Sequence, residues 1–311
     1  MMHDSSLIQV GNQAGNRGQP WMDINAQISA EIGLPFTINK ASPVGGGCIN
    51  SAFLIEGNGR KLFVKLNEAG KLPMFDAEAG GLEEIIASGT LRVPVPICWG
   101  RNDSQSWLVL EYIEMSAASE AGSAAFGSGL AAMHKSSSET FGWRQENTIG
   151  ATRQINTLSS DWVEFWRQYR LGYQLELALV NGHTGKLQAL GEKLMAHLDA
   201  FFPGSQPVAS LLHGDLWSGN FSFDCAGQPV VFDPAIYYGD RETDIAMTEL
   251  FGGFPAAFYA AYREVYPLDP GYSIRKTLYN LYHILNHLNL FGAGYGRQAE
   301  QMMSRLLAEI R

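Results

Sequence analysis

Cysteine is scarce in this 311-residue chain: Cys48, Cys98 and Cys225 form an odd set at unrelated spacings. That excludes a disulfide framework and a cysteine-built zinc site, and a reducing cytoplasm is the expected compartment. Positive charge is also in deficit, with 22 Lys and Arg against 31 Asp and Glu and a formal net charge of -9. A surface that tracks a nucleic-acid backbone or anionic lipid is therefore not expected. No apolar run approaches the roughly 18 to 20 residues of a membrane-spanning helix, so no membrane partner is expected. The first residues lack the basic start and apolar core of a secretory signal. No Gly-x-Ser-x-Gly elbow or Walker loop is present, and the histidines show no ligand spacing. Hydrolase, P-loop and zinc chemistry fall away with them.

What the chain does contain is enough apolar content, 46%, to bury a sizeable core in two lobes. Residues 1–21 read as a polar, disordered leader or an over-extended start site. Residues 22–114 read as an amino-terminal nucleotide-binding lobe and residues 115–311 as a larger, mainly helical lobe. The first lobe opens with a short helix capped by Asp23 and ended by Gly33. Three strands follow, Phe36 to Val44, Ile49 to Glu56 and Lys61 to Leu66, the last two joined by a tight Asn58-Gly59 turn. A helix from Phe75 to Ser88 buries Leu82, Ile85 and Ile86, and strands from Thr90 to Trp99 and Ser106 to Tyr112 complete five antiparallel strands. Beyond a small-residue connection from Ser116 to Ser128, apolar spacing predicts helices over Ser123–His134, Trp162–Val180, Gly185–Phe201, Asp244–Phe251, Ala256–Val265, Ile274–Leu290 and Arg297–Ile310. Only Leu211 to Phe232 interrupts them with strand patterning.

The densest chemistry lies in that interruption. Leu211 to Asn220 reads LLHGDLWSGN, and the strand ending at Asp233 follows thirteen positions after Asn220. Phe221-Ser222-Phe223 and Pro229 to Phe232, separated by Asp224-Cys225-Ala226-Gly227, predict a β-hairpin. Its mouth would gather Asp215, Asn220 and Asp233, oxygen donors suited to Mg²⁺ and hence to phosphoryl transfer. His213 is expected to brace the loop from the interior, and Asp244 to cap a helix or brace the same loop. Trp217, Tyr237 and Tyr238 line a substrate pocket or sit in the core.

Three further features suit a nucleotide. Gly45, Gly46 and Gly47 between two strands can form an anion-binding nest, although a plain hairpin turn is the commoner use of such a loop. Lys65, flanked by apolar residues on the third strand, needs a partner. Glu78 is the candidate, ahead of Glu83 and Glu84, because Leu82 and Ile85 fix the buried face. The pair would hold the ammonium at the α- and β-phosphates. Glu111, Tyr112 and Ile113 close the fifth strand, where backbone groups can read an adenine edge or simply end the strand. Asp240, Arg241 and Glu242 are either substrate or loop contacts or a surface turn.

Together these pieces resemble the protein-kinase-like fold, an α+β bilobal architecture. Protein kinases carry His-Arg-Asp-Leu-Lys-x-x-Asn and then Asp-Phe-Gly. This chain has His213-Gly214-Asp215-Leu216-Trp217-Ser218-Gly219-Asn220 and then Asp233-Pro234-Ala235, with the spacing from acid to amide kept. Trp217 in place of lysine disfavours a protein kinase. The strings HGDLWSGN and FDPAIYYGDRETDIAM, with GGGCINSAF, FVKLNE, AEAGGL, LVLEYI and LYHILNHLNLFG, closely resemble the fructosamine kinase (ketosamine 3-kinase) family. That resemblance implies an ATP- and Mg²⁺-dependent kinase that phosphorylates a sugar hydroxyl of small-molecule or protein-bound ketosamines, in deglycation. It implies Asp215 as the catalytic aspartate, with Asn220 and Asp233 as metal ligands. A kinase of an aminoglycoside, choline or free sugar is the alternative, and a non-catalytic nucleotide-binding regulator a third class. Cys48 in the glycine loop is either a redox switch or a small residue filling a turn. The oligomeric state stays open, a monomer included.

Overall fold

The computed structural model describes residues 8–9, 20–45, 49–117, 119–204 and 206–310. The leader expected over residues 1–21 therefore lies outside the described residues apart from Ile8, Gln9 and residues 20–21. The chain divides into two compact units, residues 1–84 with 93–114, and residues 85–92 with 115–311.

The smaller unit is built on an antiparallel sheet. Its strands are β1 (Ile8–Gln9), β2 (Lys40–Val44), β3 (Ser51–Gly57), β4 (Arg60–Glu68), β5 (Pro96–Arg101) and β6 (Gln105–Glu111), in the spatial order β1-β2-β3-β4-β6-β5. The five strands expected from the sequence are all present, with the two-residue β1 added at the edge beside β2. Asn58 and Gly59 both adopt positive φ, 50° and 74°, the left-handed pair that lets a two-residue turn follow the sheet's twist. The Asn58 amide also ties this turn to the approach to β2, accepting from the Thr37 N–H and donating to the Pro35 carbonyl.

Helix α1 (Trp21–Ile32) starts two residues before the expected cap. Asp23 sits inside its first turn and Pro20 precedes it without a side-chain cap, because a proline can start a helix without a donor. Trp21, Ile24 and Ile28 pack with Leu62, Val64, Leu66 and Val109 of the sheet. Each such side chain contributes about 1.5–3 kcal/mol by leaving water. Alternation along β4 then turns Lys65 to the other side, toward α2 (Leu72–Ser88). On α2, Leu82 and Ile85 are fully buried as expected, but Ile86 is 41% exposed. One residue beyond Ile85 is a rotation of about 100°, enough to leave the buried stripe.

The larger unit is mainly helical: α3 (Glu120–Met133), α4 (Trp162–Trp166), α5 (Tyr173–Val180), α6 (Lys186–Met195), α7 (Glu242–Leu250), α8 (Ala256–Val265), α9 (Tyr272–Phe291) and α10 (Gly296–Glu309). A π-helical stretch, Arg167–Gly172, joins α4 to α5, so the helix expected from Trp162 to Val180 is one continuous rod with a wider middle turn. Helix α3 begins three residues before the expected Ser123, because Ser119 caps it by accepting from the Gly122 N–H. Gly127 of α3 lies where an added Cβ would stand 2.1 Å from the Phe258 carbonyl of α8, so glycine sets how closely these helices approach. The helix expected over Gly185–Phe201 stops at Met195 and resumes only as a short 3₁₀ turn, Leu198–Phe201.

Short strands thread between the helices. The hairpin β11 (Phe221–Asp224) with β12 (Pro229–Val231) forms as expected and takes β7 (Met115–Ser116) as a third strand. Two pairings not expected from the sequence are β8 (Asn147–Ile149) with β9 (Thr152–Gln154), and β10 (Ser210–Leu212) with β13 (Tyr237–Gly239). No helix among the described residues is long and apolar enough to cross a membrane.

Candidate functional site

Two antiparallel pairings in the larger unit shape the loop His213–Asn220. On one side Leu212 faces Tyr237, and the Ala235 N–H donates to the His213 carbonyl at 2.9 Å. On the other side Phe221 faces Val231, and the Phe232 N–H donates to the Asn220 carbonyl at 3.0 Å. The arc from 213 to 220 and the segment 232–235 are thus stapled at both ends, which sets Asp215, Asn220 and Asp233 at one hairpin mouth. The Asn220 amide nitrogen donates to the Asp215 backbone carbonyl at 2.8 Å and to its carboxylate at 3.1 Å. With its N–H groups spent on Asp215, Asn220 keeps its amide oxygen as the atom that can face a cation.

Gly214 explains the residue between the histidine and the acid. Its φ is +81°, and a Cβ there would lie 2.0 Å from the Ala235 carbonyl oxygen, so only glycine lets the two segments approach. Asp233 also has a left-handed backbone, φ 55°, a conformation that aspartate tolerates and that recurs where geometry is imposed by function. Its side chain is exposed.

Asp244 braces the loop from α7. One carboxylate oxygen accepts from the Gly214 N–H at 2.9 Å; the other accepts from the His213 N–H at 2.7 Å and from Nε2 of His134 at 3.1 Å. Burial, the largest influence, would raise the Asp244 pKa, but the hydrogen bond and electrostatic pull of His134 together with the Gly214 N–H hold it below the ordinary carboxylate value. Asp244 is therefore a brace rather than a helix cap, since α7 starts two residues earlier. The other nitrogen of His134 meets the Tyr262 hydroxyl at 2.7 Å, and that hydroxyl accepts from Arg241 at 3.2 Å. Neither His134 nor Tyr262 stands out in the sequence, because each lies in an apolar helix more than a hundred residues from its partner.

His213 is fully buried and neutral: Nε2 donates to the Phe232 carbonyl, Nδ1 accepts from the Asp215 N–H, and burial drives its pKa down. It braces the loop, as expected. Asp215 is pushed up to about 7, first by burial, against the Asn220 hydrogen bond and with help from the negative charges of Asp233 and Asp244. Trp217 is 39% exposed, and its indole folds over Gly219, where a Cβ would stand 2.4 Å from the ring.

The run from Asp240 to Glu242 lies in the interior. Of the readings for Asp240 and Arg241, substrate or loop contacts or a surface turn, the surface turn falls away: both are buried with their polar groups engaged internally, Arg241 with loop carbonyls. Asp240 accepts from the Tyr279 hydroxyl and the Glu242 N–H, and Arg241 donates to Tyr262 and to the Tyr266 and Pro267 carbonyls. Glu242 pairs with Arg275 at 2.7 Å. The polar run that looked like a surface turn is the buried start of α7, where charges satisfy one another. Tyr237 likewise belongs to the core, under the Arg170 guanidinium, 4.0 Å from its ring centroid.

In the smaller unit Lys65 Nζ donates to Glu78 Oε1 at 2.6 Å, with side chains 8% and 11% exposed. The expected partner is the observed one. Gly45 has open space around its Cβ position; Gly46, Gly47 and Cys48 lie outside the described residues. The Glu111 N–H donates to the Val95 carbonyl within the sheet, so that donor is not available to a base. Ile113 is buried and Tyr112 lies beneath Lys61. Among the described residues no three His, Cys, Asp or Glu side chains converge as a metal cage. Asn220 and Asp233 offer only oxygen donors, which fits a hard cation that takes the rest of its shell from phosphates and water.

The fructosamine kinase family profile matches residues 20–309. A probable ketoamine kinase of Synechocystis sp. is 48% identical over 293 residues, 94% of this chain and 98% of that protein. A chloroplastic protein-ribulosamine 3-kinase of Oryza sativa is 41% identical over 88% of this chain and 80% of its own length. A crystal structure from Haemophilus somnus assigned as a fructosamine-3-kinase superposes with a TM-score of 0.85 at 28% identity, covering 93% of this chain and all of that one. The fold alone is shared with a thermostable mutant of the aminoglycoside phosphotransferase APH(4)-Ia, at a TM-score of 0.59 and 14% identity. A profile spanning nearly the whole chain, and relatives of this identity over nearly their full lengths, establish that the chain belongs to the fructosamine kinase family.

Proposed function

We propose that Asp215, Asn220 and Asp233 carry the phosphoryl transfer of this ketosamine kinase, with ATP as donor and a sugar hydroxyl of a fructosamine or ribulosamine as acceptor. The observation that supports it most is the direct bond from the Asn220 amide to the Asp215 carboxylate, with the Asp233 charge felt at the same carboxylate. Asp215 accepts a hydrogen bond from the attacking hydroxyl and aims its oxygen in line with the γ-phosphate. Because the transition state is loose, orientation matters more than basicity, and the proton leaves late. Asn220 and Asp233 would hold Mg²⁺, which when bound supplies neutralisation of the phosphate charge. Lys65, oriented by Glu78, is assigned to the α- and β-phosphates, Gly45 and its neighbours to the phosphate loop, and Glu111, Tyr112 and Ile113 to the adenine edge. Trp217 is assigned to the sugar, as its exposed ring stands two residues from Asp215.

The compartment proposed is the reducing cytoplasm, which suits three cysteines at unrelated spacings. Incubation with ATP, Mg²⁺ and a panel of fructosamines and ribulosamines, free and protein-bound, should release ADP with at least one of them. Turnover of an aminoglycoside, choline or free sugar in place of every ketosamine would reject the reading.

A further inference from the structure

A chain of partly exposed rings leads away from the catalytic loop of the larger unit. The Trp217 ring meets that of Phe251 at 6.4 Å, Phe251 meets His287 at 5.1 Å, and His287 meets Phe291 at 5.4 Å and Tyr295 at 5.2 Å. Trp217, Phe251 and Phe291 are 39%, 36% and 64% exposed. Scattered surface apolar residues need no explanation, but a contiguous ledge of rings starting two residues from the candidate catalytic aspartate does. Phe251 follows α7, His287 and Phe291 lie one turn apart on α9, and Tyr295 follows it, so three separate segments build the ledge. The Asp215 charge is felt at Tyr282 on the same α9.

The imidazole gives the ledge a defined polarity. Nδ1 of His287 lies 2.7 Å from the His283 carbonyl, which can only accept, so Nδ1 carries the proton. In the neutral ring Nε2 is then an acceptor, and no protein partner for it occurs among the described residues. An acceptor nitrogen framed by aromatic rings suits a group that is both cationic and an N–H donor. A ketosamine carries such a group: its secondary amine, protonated at neutral pH, sits on the first sugar carbon, a few bonds from the hydroxyls.

We infer that Phe251, His287, Phe291 and Tyr295 form the subsite for the protonated amine of the ketosamine and the first carbons of its substituent, with His287 Nε2 accepting an amine N–H. This rests on the kinase reading above and adds to it how a glycated amine is told from a free sugar. The ring faces attract the cation and cover the carbon chain, while the sugar is left to Trp217 and Asp215.

The test measures kcat and KM by ADP release for wild type, His287→Leu and Phe291→Leu, each with Nα-acetyl-fructoselysine and with 1-deoxyfructose, which lacks the amine. His287→Leu should raise KM for the fructoselysine about tenfold, the scale of one charged hydrogen bond, with kcat within about threefold. KM for 1-deoxyfructose should move less than about twofold, so wild-type preference for the amine collapses. Phe291→Leu should shift KM the same way by about threefold, the scale of one exposed cation–π contact. Because Phe291 is so exposed, that variant carries the test if His287→Leu does not fold. An active wild type with unchanged preference in both variants, or equal losses on both substrates, overturns the subsite alone. A wild type silent on every ketosamine overturns the kinase reading and the subsite with it.

Discussion

In the smaller unit the buried cation Lys65 meets Glu78 at 2.6 Å, and the charge is cancelled within a strand–helix pair. In the larger unit Asp215 has Asp233 and Asp244 as electrostatic neighbours, and the direct partner of its carboxylate is an uncharged amide, Asn220. Asp244 is compensated by His134 and two backbone N–H groups. The smaller unit holds a buried cation neutralised by its carboxylate, whereas in the larger unit the charges of Asp233 and Asp244 raise the Asp215 pKa. Preorganisation in one case means neutrality, and in the other it means stored repulsion.

The strongest way to break this contrast is to remove the charges of the larger unit. Asp215→Asn and Asp233→Asn should each lower kcat by ~10²-fold or more, read by ADP release with a ketosamine. Next, Lys65→Met leaves Glu78 buried without its cation and should cost about 3 kcal/mol in urea unfolding while raising KM for ATP. Lys65→Met with Glu78→Leu should recover most of that stability and none of the activity, since an apolar pair satisfies the fold but not the phosphates. A smaller effect is expected for Asp244→Asn: presenting an N–H₂ to donors that need an acceptor should cost about 2 kcal/mol and slow turnover several-fold.

A pH-dependent effect is expected as well. The Asp215 pKa is raised from 3.8 to about 7, so between those values the folded protein binds more protons than the unfolded chain. Stability therefore falls as pH rises through this window, and the penalty is fully present above about 7 and absent below 3.8. Asp215→Asn should accordingly raise Tm in alkaline buffer in the absence of nucleotide, with the difference fading as the buffer is acidified. A Tm difference independent of pH would point to packing rather than charge. In the same sense, kcat/KM should rise through neutrality as Asp215 loses its proton.

Local signals carried much of the fold. The Asn58-Gly59 turn, the hairpin from Phe221 to Val231 and the helix Ala256–Val265 were all legible, because each is decided by adjacent residues. The Lys65–Glu78 pair was legible for a different reason: a cation on an apolar strand needs a carboxylate, and the buried face of α2 singles one out. What escaped depended on distant contacts. Three-residue strands such as Ser210–Leu212 and Tyr237–Gly239 carry too little periodicity to read, and only their mutual pairing defines them. For Asp240 and Arg241 the sequence left substrate contacts, loop contacts and a surface turn open, because their partners, Tyr279, Tyr262 and the 266–267 carbonyls, come from later helices and the loop between them. His134 gave no sign of its tie to Asp244, 110 residues away.

The most direct test of the central claim is single-turnover transfer of the labelled γ-phosphoryl group of ATP to Nα-acetyl-fructoselysine by wild type and Asp215→Asn, both shown to be folded by their melting curves. The expected result is transfer by wild type and a rate at least ~10²-fold lower in the variant. Transfer by folded Asp215→Asn within about threefold of wild type would contradict a role for this carboxylate in aiming the hydroxyl.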